Sequence, residues 1–353
     1  MSSEKRSFGV RFAMLIILMI MVAAFTRGYS MEVSFLVGDV NLTRSGKSVP
    51  LTMKSSLTPG DIIATGRNSL CTLKYKDGSN VEIRANSKIA VGNESVPGSN
   101  YVSLISGVVH GKFAKMQKGG SGNKVYTPTA VCAIRGTEFT IAAGDSGDSR
   151  VQLEEGKLQI RNPYGKVDIN ENENSDMGIA ARPKSDRKAR AIENWMEQKV
   201  GEFEKDPEAT GDRYDRYFDK MGDDSNQASK KISEYDRNLA RNSMRGKDSM
   251  EKANSDINGL DENMQDGMYL NRNASLSLDG IISGIGQEKA GLYQKFNQVK
   301  QECNKVAEQQ QRNYEALQAV KEAYRKAYDE IVKKHRESVD RIKGYNKESV
   351  MPQ

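Results

Sequence analysis

A chain of 353 residues with 37% hydrophobic and 28% charged residues and a mean hydropathy of −0.67 is too polar for one compact globule. It suits a modest core joined to a long, solvated helical part. The formal charge of +6 is unevenly spread: basic and acidic residues balance from Lys184 to Gln353, and Lys5, Arg6, Arg11 and Arg27 supply much of the excess, so no clustered, aromatic-interleaved stripe of cations marks a nucleic-acid surface.

Residues 1–30 read as a targeting segment. Lys5, Arg6 and Arg11 precede an uninterrupted apolar run from Phe12 to Phe25. That run has the length of a signal-peptide core and falls short of the roughly 20 residues that cross a bilayer. Val22 and Ala24, or Gly28 and Ser30, offer small residues before a cleavage point. A retained signal anchor is the other reading, and only then does the chain stay attached to a membrane. No cysteine follows the run before Cys71, so a lipid-attachment site is not expected.

From 31 to 183 the pattern predicts short strands with turn punctuation. Cys71, Leu73 and Tyr75 alternate with Thr72, Lys74 and Lys76, the period of a half-buried strand. Asp77-Gly78 then separates this run from Val81 and Ile83, which predicts a hairpin with a type I′ turn. Further turns are expected at Pro59-Gly60, at Pro97-Gly98 and around Gly119, Gly120 and Gly122. Tyr101–Val109, Val125–Val131 and Phe139–Ala142 are further strands, and Asn170–Asp176 reads as a polar approach to a linker. Strands this short and regular indicate an all-β sandwich, barrel or β-solenoid. Cys71 and Cys132 both fall in strand-like runs. An oxidising compartment would allow a disulfide between them; two small buried core residues is the other reading.

From 184 to 353 the period becomes helical. Ile192, Trp195, Met196, Val200 and Phe203 form a stripe closed by Pro207. A second runs Ala228, Ile232, Tyr235, Leu239, then Met250, Ala253, Ile257, Leu260 and Met264. The third, Leu292, Phe296, Val299, Cys303, Val306, then Leu317, Val320, Tyr324, Ala327 and Ile331, steps by fours and threes, the heptad spacing of a coiled coil. Gln310 and Asn313 interrupt it where apolar residues belong. Gly280, Gly284, Gly286 and Gly291 predict a reversal into an antiparallel, coiled-coil-like hairpin; a looser amphipathic bundle is the alternative.

Chemistry is sparse along the chain. His110 and His335 lie in different halves, neither at a metal-ligand spacing from Cys, Asp or Glu. No phosphate-binding glycine loop or nucleophile elbow is present. The loop from Gly144 to Ser149, GDSGDS, lacks the spacing of a calcium loop and reads as a tight polar turn. No enzyme, metal or cofactor is expected.

Four motifs carry a family resemblance: FLVGDV from Phe35 to Val40, TPGDIIATGRNSLCTLKYKDGSNVEI from Thr58 to Ile83, the Arg-Gly-Thr-Glu-Phe run from Arg135 to Phe139, and EEGKLQI from Glu154 to Ile160. In this order they resemble the FecR domain, an all-β module of bacterial cell envelopes. Gly136 is expected to let the backbone bend or approach a neighbour, with Ile134 and Phe139 in the core. Arg135 and Glu138 flank this bend as the candidate binding residues. They are placed to pair with each other or with Asp77, a surface contact worth about 0–1 kcal/mol; the functional alternative takes Arg135 to an anionic ligand.

The family's transmembrane regulators join an anti-sigma module to a periplasmic sensor. The dozen or so residues before the apolar run are too few for such a module, so the chain is more similar to exported FecR-domain proteins of bacteria with two membranes, notably spirochaetes. The resemblance implies a periplasmic, non-enzymatic binding or scaffold module. Its expected partner is a protein or a cell-wall glycan, with a helical arm for spacing or self-association. The alternative is an envelope-sensing component that relays to a membrane partner.

Overall fold

The computed structural model describes residues 31–92, 101–115, 123–134, 136–187, 190–240, 247–286 and 289–348. The targeting segment, Arg135, Pro97-Gly98 and the glycine loop at 119–122 lie outside these. The architecture is a mostly-β region followed by long helices. Among the described residues sixteen strands form one open sheet, not a closed barrel.

Its organiser is the longest strand, β8 (Tyr101–Lys112). Residues 102–106 pair antiparallel with β7 (Lys88–Val91), and residues 101–103 pair parallel with β9 (Asn123–Tyr126). Residues 107–112 pair with β6 (Asn80–Ile83) and β11 (Glu138–Ala143). The change of partners falls at Gly107, whose φ of +92° suits a residue with no Cβ; an added Cβ would meet Ser87 at 2.4–2.6 Å. The sheet thus has two wings, and alternate side chains of both fill one core that includes Val33, Ile63, Leu73, Val109, Phe139, Ile141 and Ile160.

Several strand predictions hold and some shift. The hairpin between β5 (Leu70–Tyr75) and β6 is present, but its loop has four residues. Gly78 alone has positive φ, with its N–H on the Tyr75 carbonyl at 3.1 Å and Asp77 accepting the Ser79 N–H at 2.9 Å. The run Val125–Val131 is not one strand: it turns at Thr127–Ala130 between β9 and β10 (Val131–Ile134), because Pro128 has no N–H to give a ladder. The segment from Asn170 to Asp176 is not a linker either. It spans the end of β14 (Gly165–Asn170), a turn with Asn172 at φ +63° and most of β15 (Asn174–Met177). Beyond it, β16 (Lys184–Asp186) adds the last strand.

Among the described residues four helices follow: α1 (Ile192–Lys205), α2 (Pro207–Ala240), α3 (Lys247–Ile285) and α4 (Ala290–Glu348). The expected reversal falls at Gly286, φ +65°, and sends α4 back antiparallel to α3. Cross-links fix this sense: Asn271 donates to the Cys303 carbonyl, and Asp261 pairs with Lys321. Helix α2 runs alongside α4 in the same direction, with Asn313 on Ser225 and Tyr324 on the Tyr235 carbonyl. The heptad stripe faces these two neighbours, and Phe296, Val299, Cys303, Leu317 and Tyr324 are buried. Among the described residues no helix is long and apolar enough to cross a membrane.

Candidate functional site

The run from Tyr126 to Phe139 divides into parts with different tasks. Its first five residues dock the helices. Tyr217 donates its hydroxyl to the Pro128 carbonyl at 3.2 Å, and the Asn273 amide reaches the Thr127 carbonyl at 3.4 Å. Tyr126 and Val131 share a core with Tyr214, Tyr217, Phe218 and Phe296. The GDSGDS loop, between β11 and β12 (Ser149–Glu155), is a second dock. Buried Asp148 accepts the Ile179 N–H at 3.0 Å and faces Arg213 at 3.3 Å and Lys199 at 3.7 Å. The helices therefore lie on the β domain as a packed layer.

The last part of the run is the corner. Gly136 takes φ +61°, and a Cβ there would meet Lys115 at 2.5 Å. Gly156, from the EEGKLQI motif, takes φ +94° and would bring a Cβ to 2.6 Å from the Gly136 carbonyl. Two motifs far apart in the chain thus touch through their glycines. Glu138 starts β11, and the pairing expected of Arg135 lies outside the described residues. Glu138 accepts Lys112 Nζ at 2.6 Å and lies 3.4 Å from His110 Nε2; the Lys112 hydrogen bond holds its carboxyl below the usual range. Cys71 and Cys132 are buried free thiols, not joined in a disulfide, and burial pushes each up to about 12. Cys303 is likewise buried and raised to about 11.

A cleft of about 350 Å³ opens where the wing of β10 and β13 (Lys157–Asn162) meets α2, α3 and α4. Val131, Met221, Leu260 and Leu270 give it an apolar floor, and Arg161, Asp224 and Lys231 charge its edge. One wall is a junction centred on Asp266, only 4% exposed. Asp266 accepts Tyr126 Oη at 2.7 Å and Lys124 Nζ at 2.9 Å, and it also pairs with Arg161. Burial pushes the Lys124 ammonium below its ordinary range against the pull of Glu262, whose own carboxyl is lowered by the Lys124 hydrogen bond. Gln310, 8% exposed, also lines the cleft, and among the described residues its Oε1 has no hydrogen-bond partner. A pocket between packed layers, apolar with a few fixed polar groups, is the usual form of a ligand site. Gln310 was legible as a break in the heptads; Arg161 and Asp266 carried no sequence signal, since only the fold joins them.

The β core that builds these features matches a known family. Residues 61–159 match the profile described as FecR protein, so the chain carries a FecR domain. Two crystal structures, each described as a candidate anti-sigma factor from Parabacteroides distasonis ATCC 8503, share part of it. The one at 2.50 Å is 17% identical over 35% of this chain and 58% of its own, with a TM-score of 0.31. The one at 1.65 Å is 18% identical over 38% and 63%, with a TM-score of 0.33. The chain spans about three fifths of the length of those structures. No curated protein matches it.

Proposed function

We propose that this protein is an exported, non-enzymatic binding and scaffold module of the bacterial cell envelope, in which the FecR domain and its helical layer recognise a partner together. The carrying observation is the cleft with the unpartnered Gln310 oxygen, because its walls come from both parts of the chain. A buried acceptor left without a donor costs about 1–3 kcal/mol, and a bound peptide loop or glycan hydroxyl would remove that cost. Past Ile331, α4 leaves the apolar core it shares with α2 and α3, and Lys333–Ser338 are exposed. This projecting end is the spacing or self-association arm. In intact cells, a photo-crosslinking residue at Lys231 or Asn263 should give a discrete adduct with a protein or with wall glycan. Adducts at the α4 end but never at the cleft would overturn the shared-recognition reading. Sedimentation tests the arm separately: a monomer at all concentrations removes self-association and leaves spacing.

A second reading, favoured by the FecR match itself, is relay of an envelope state to a membrane partner. It requires the N-terminal segment to be retained. N-terminal sequencing of the mature protein decides this, because a start near Phe25 or Met31 removes the direct route across the membrane.

A further inference from the structure

On the outer face of the β6, β8, β11 and β12 wing, His110, Glu138 and Glu154, none of which lines the cleft, converge. One ligand atom from each, either ring nitrogen counting for His110, lies within 4.8 Å of the others; the Glu154 Oε2 atom stands 3.8 Å from His110 Nδ1, so Glu154 joins Nε2 and Glu138 around an ion by turning its half-exposed side chain. Sequence spacing concealed the group because it is assembled by strand register. Thr140 on β11 stands opposite His110 on β8, and Glu138 stands opposite Lys112. The ladder between β11 and β12 slips between Glu138 and Phe139, whose partners are Glu155 and Leu153. Glu154 is therefore the extra residue of a β-bulge, and such bulges re-aim side chains.

The hydrogen bonds around His110 assign its free nitrogen. Thr140 Oγ1 donates its single proton to Glu154 Oε1 at 2.9 Å, so toward His110 Nδ1, 3.2 Å away, it can only accept. Nδ1 then carries the proton and Nε2 presents a lone pair. Nε2 lies 3.4 Å from Glu138 Oε1, close to the roughly 3.3 Å that separates two ligands of a tetrahedral zinc ion with bonds near 2.0 Å. Metal-bound histidines regularly give their other N–H to an oxygen in this way. Lys112 takes the other oxygen of Glu138, leaving Oε1 for one bond. Glu82, opposite His110 on β6, faces Arg84 at 3.7 Å instead.

We propose that His110 Nε2, Glu138 and Glu154 form a divalent-cation site suited to zinc, with Thr140 as its positioning residue and a fourth position open to water or to a partner's side chain. One nitrogen and two carboxylate oxygens are a zinc-type donor set, whereas calcium and magnesium take oxygen alone. The ammonium of Lys112 opposes the ion and is exposed enough to swing away.

The full chain titrated with Zn²⁺ at pH 7.5 in a calorimeter should bind one equivalent saturably, with Mg²⁺ unable to compete. His110→Ala and Glu138→Gln should each lose at least tenfold in affinity, Thr140→Val should lose about 10–100-fold, and Lys112→Gln should bind more tightly. His335→Ala serves as the control and should bind as the parent does. Co²⁺ substitution adds a readout independent of affinity, since a tetrahedral site gives intense visible absorption that His110→Ala abolishes. His110, Glu138 and Lys112 are partly or fully exposed and Thr140 is buried, so melting curves are taken to verify that each variant, Thr140→Val above all, is folded. No saturable binding, or binding unchanged in both His110→Ala and Glu138→Gln, would mean that the group is an ion-pair ladder only.

Discussion

Gly136 and Gly156 both have positive φ, and a Cβ on either would strike a neighbour within 2.6 Å. Left-handed strain for a residue with a Cβ costs about 1–3 kcal/mol. Gly136→Ala and Gly156→Ala should each lower stability by at least that much, read as a shift of the thermal midpoint. Asp61, where the FecR match begins, offers a pH test. Burial opposes its ionisation, but Arg44 at 2.6 and 2.8 Å and two bonds from Thr58 outweigh it and hold the carboxyl below its ordinary value. A depressed folded value means that the unfolded chain takes up the proton first. The stability Asp61 contributes is complete above about pH 4 and is lost as pH falls through the folded value. Asp61→Asn should cost about 2–3 kcal/mol at pH 7, moderated by the exposure of Arg44, and the gap from the parent should close in melts taken toward pH 3. Asp61 and both glycines were visible in the motifs as residue types. Their partners were not, because Lys115 and Arg44 reach them only across folded strands.

At the scale of elements, the two polar breaks in the heptad stripe of α4 differ in kind. Asn313 donates to Ser225 O at 2.7 Å and lies 2.9 Å from Ser225 Oγ, so it ties α4 to α2. Gln310, one turn earlier, has an orphan oxygen and packs against Gly267 of α3, where a Cβ would lie 3.3 Å from its amide nitrogen. Asn313→Leu should destabilise by about 1–2 kcal/mol through the lost bonds, whereas Gln310→Leu should be neutral or stabilising. Chemical unfolding of the two variants side by side checks the contrast, and equal losses would contradict it. The helices and their reversal were legible because seam positions repeat every three or four residues. The parallel partner α2 was not, since an apolar stripe does not say which other stripe it meets. The strand runs were legible in the same way, except at Pro128, where a continuous apolar run hid a turn that docks the helical layer.

For the whole molecule, the junction at Asp266 governs whether the FecR domain and the helices act as one body. Removing this buried carboxylate takes from Lys124, Arg161 and Tyr126 the acceptor they share and leaves the more exposed Glu262 as the carboxylate on both cations, which should cost about 3 kcal/mol. In Asp266→Ala, hydrogen exchange should quicken along β9 and the middle of α3 while the β5–β6 hairpin keeps its protection; a uniform rise across the chain would show that the parts do not separate. Strand β8 has a consequence of another sort, in time instead of space. It is the common partner of β6 and β7, made before it, and of β9 and β11, made after it. Until residue 112 has been synthesised, the strands ending at Ile83 and Val91 hold open backbone edges that any neighbouring chain could fill. Assembly then waits on contacts distant in sequence, which slow folding. The nascent chain is thus most exposed to misassembly in the interval between Val91 and Lys112, when two edges await a single strand.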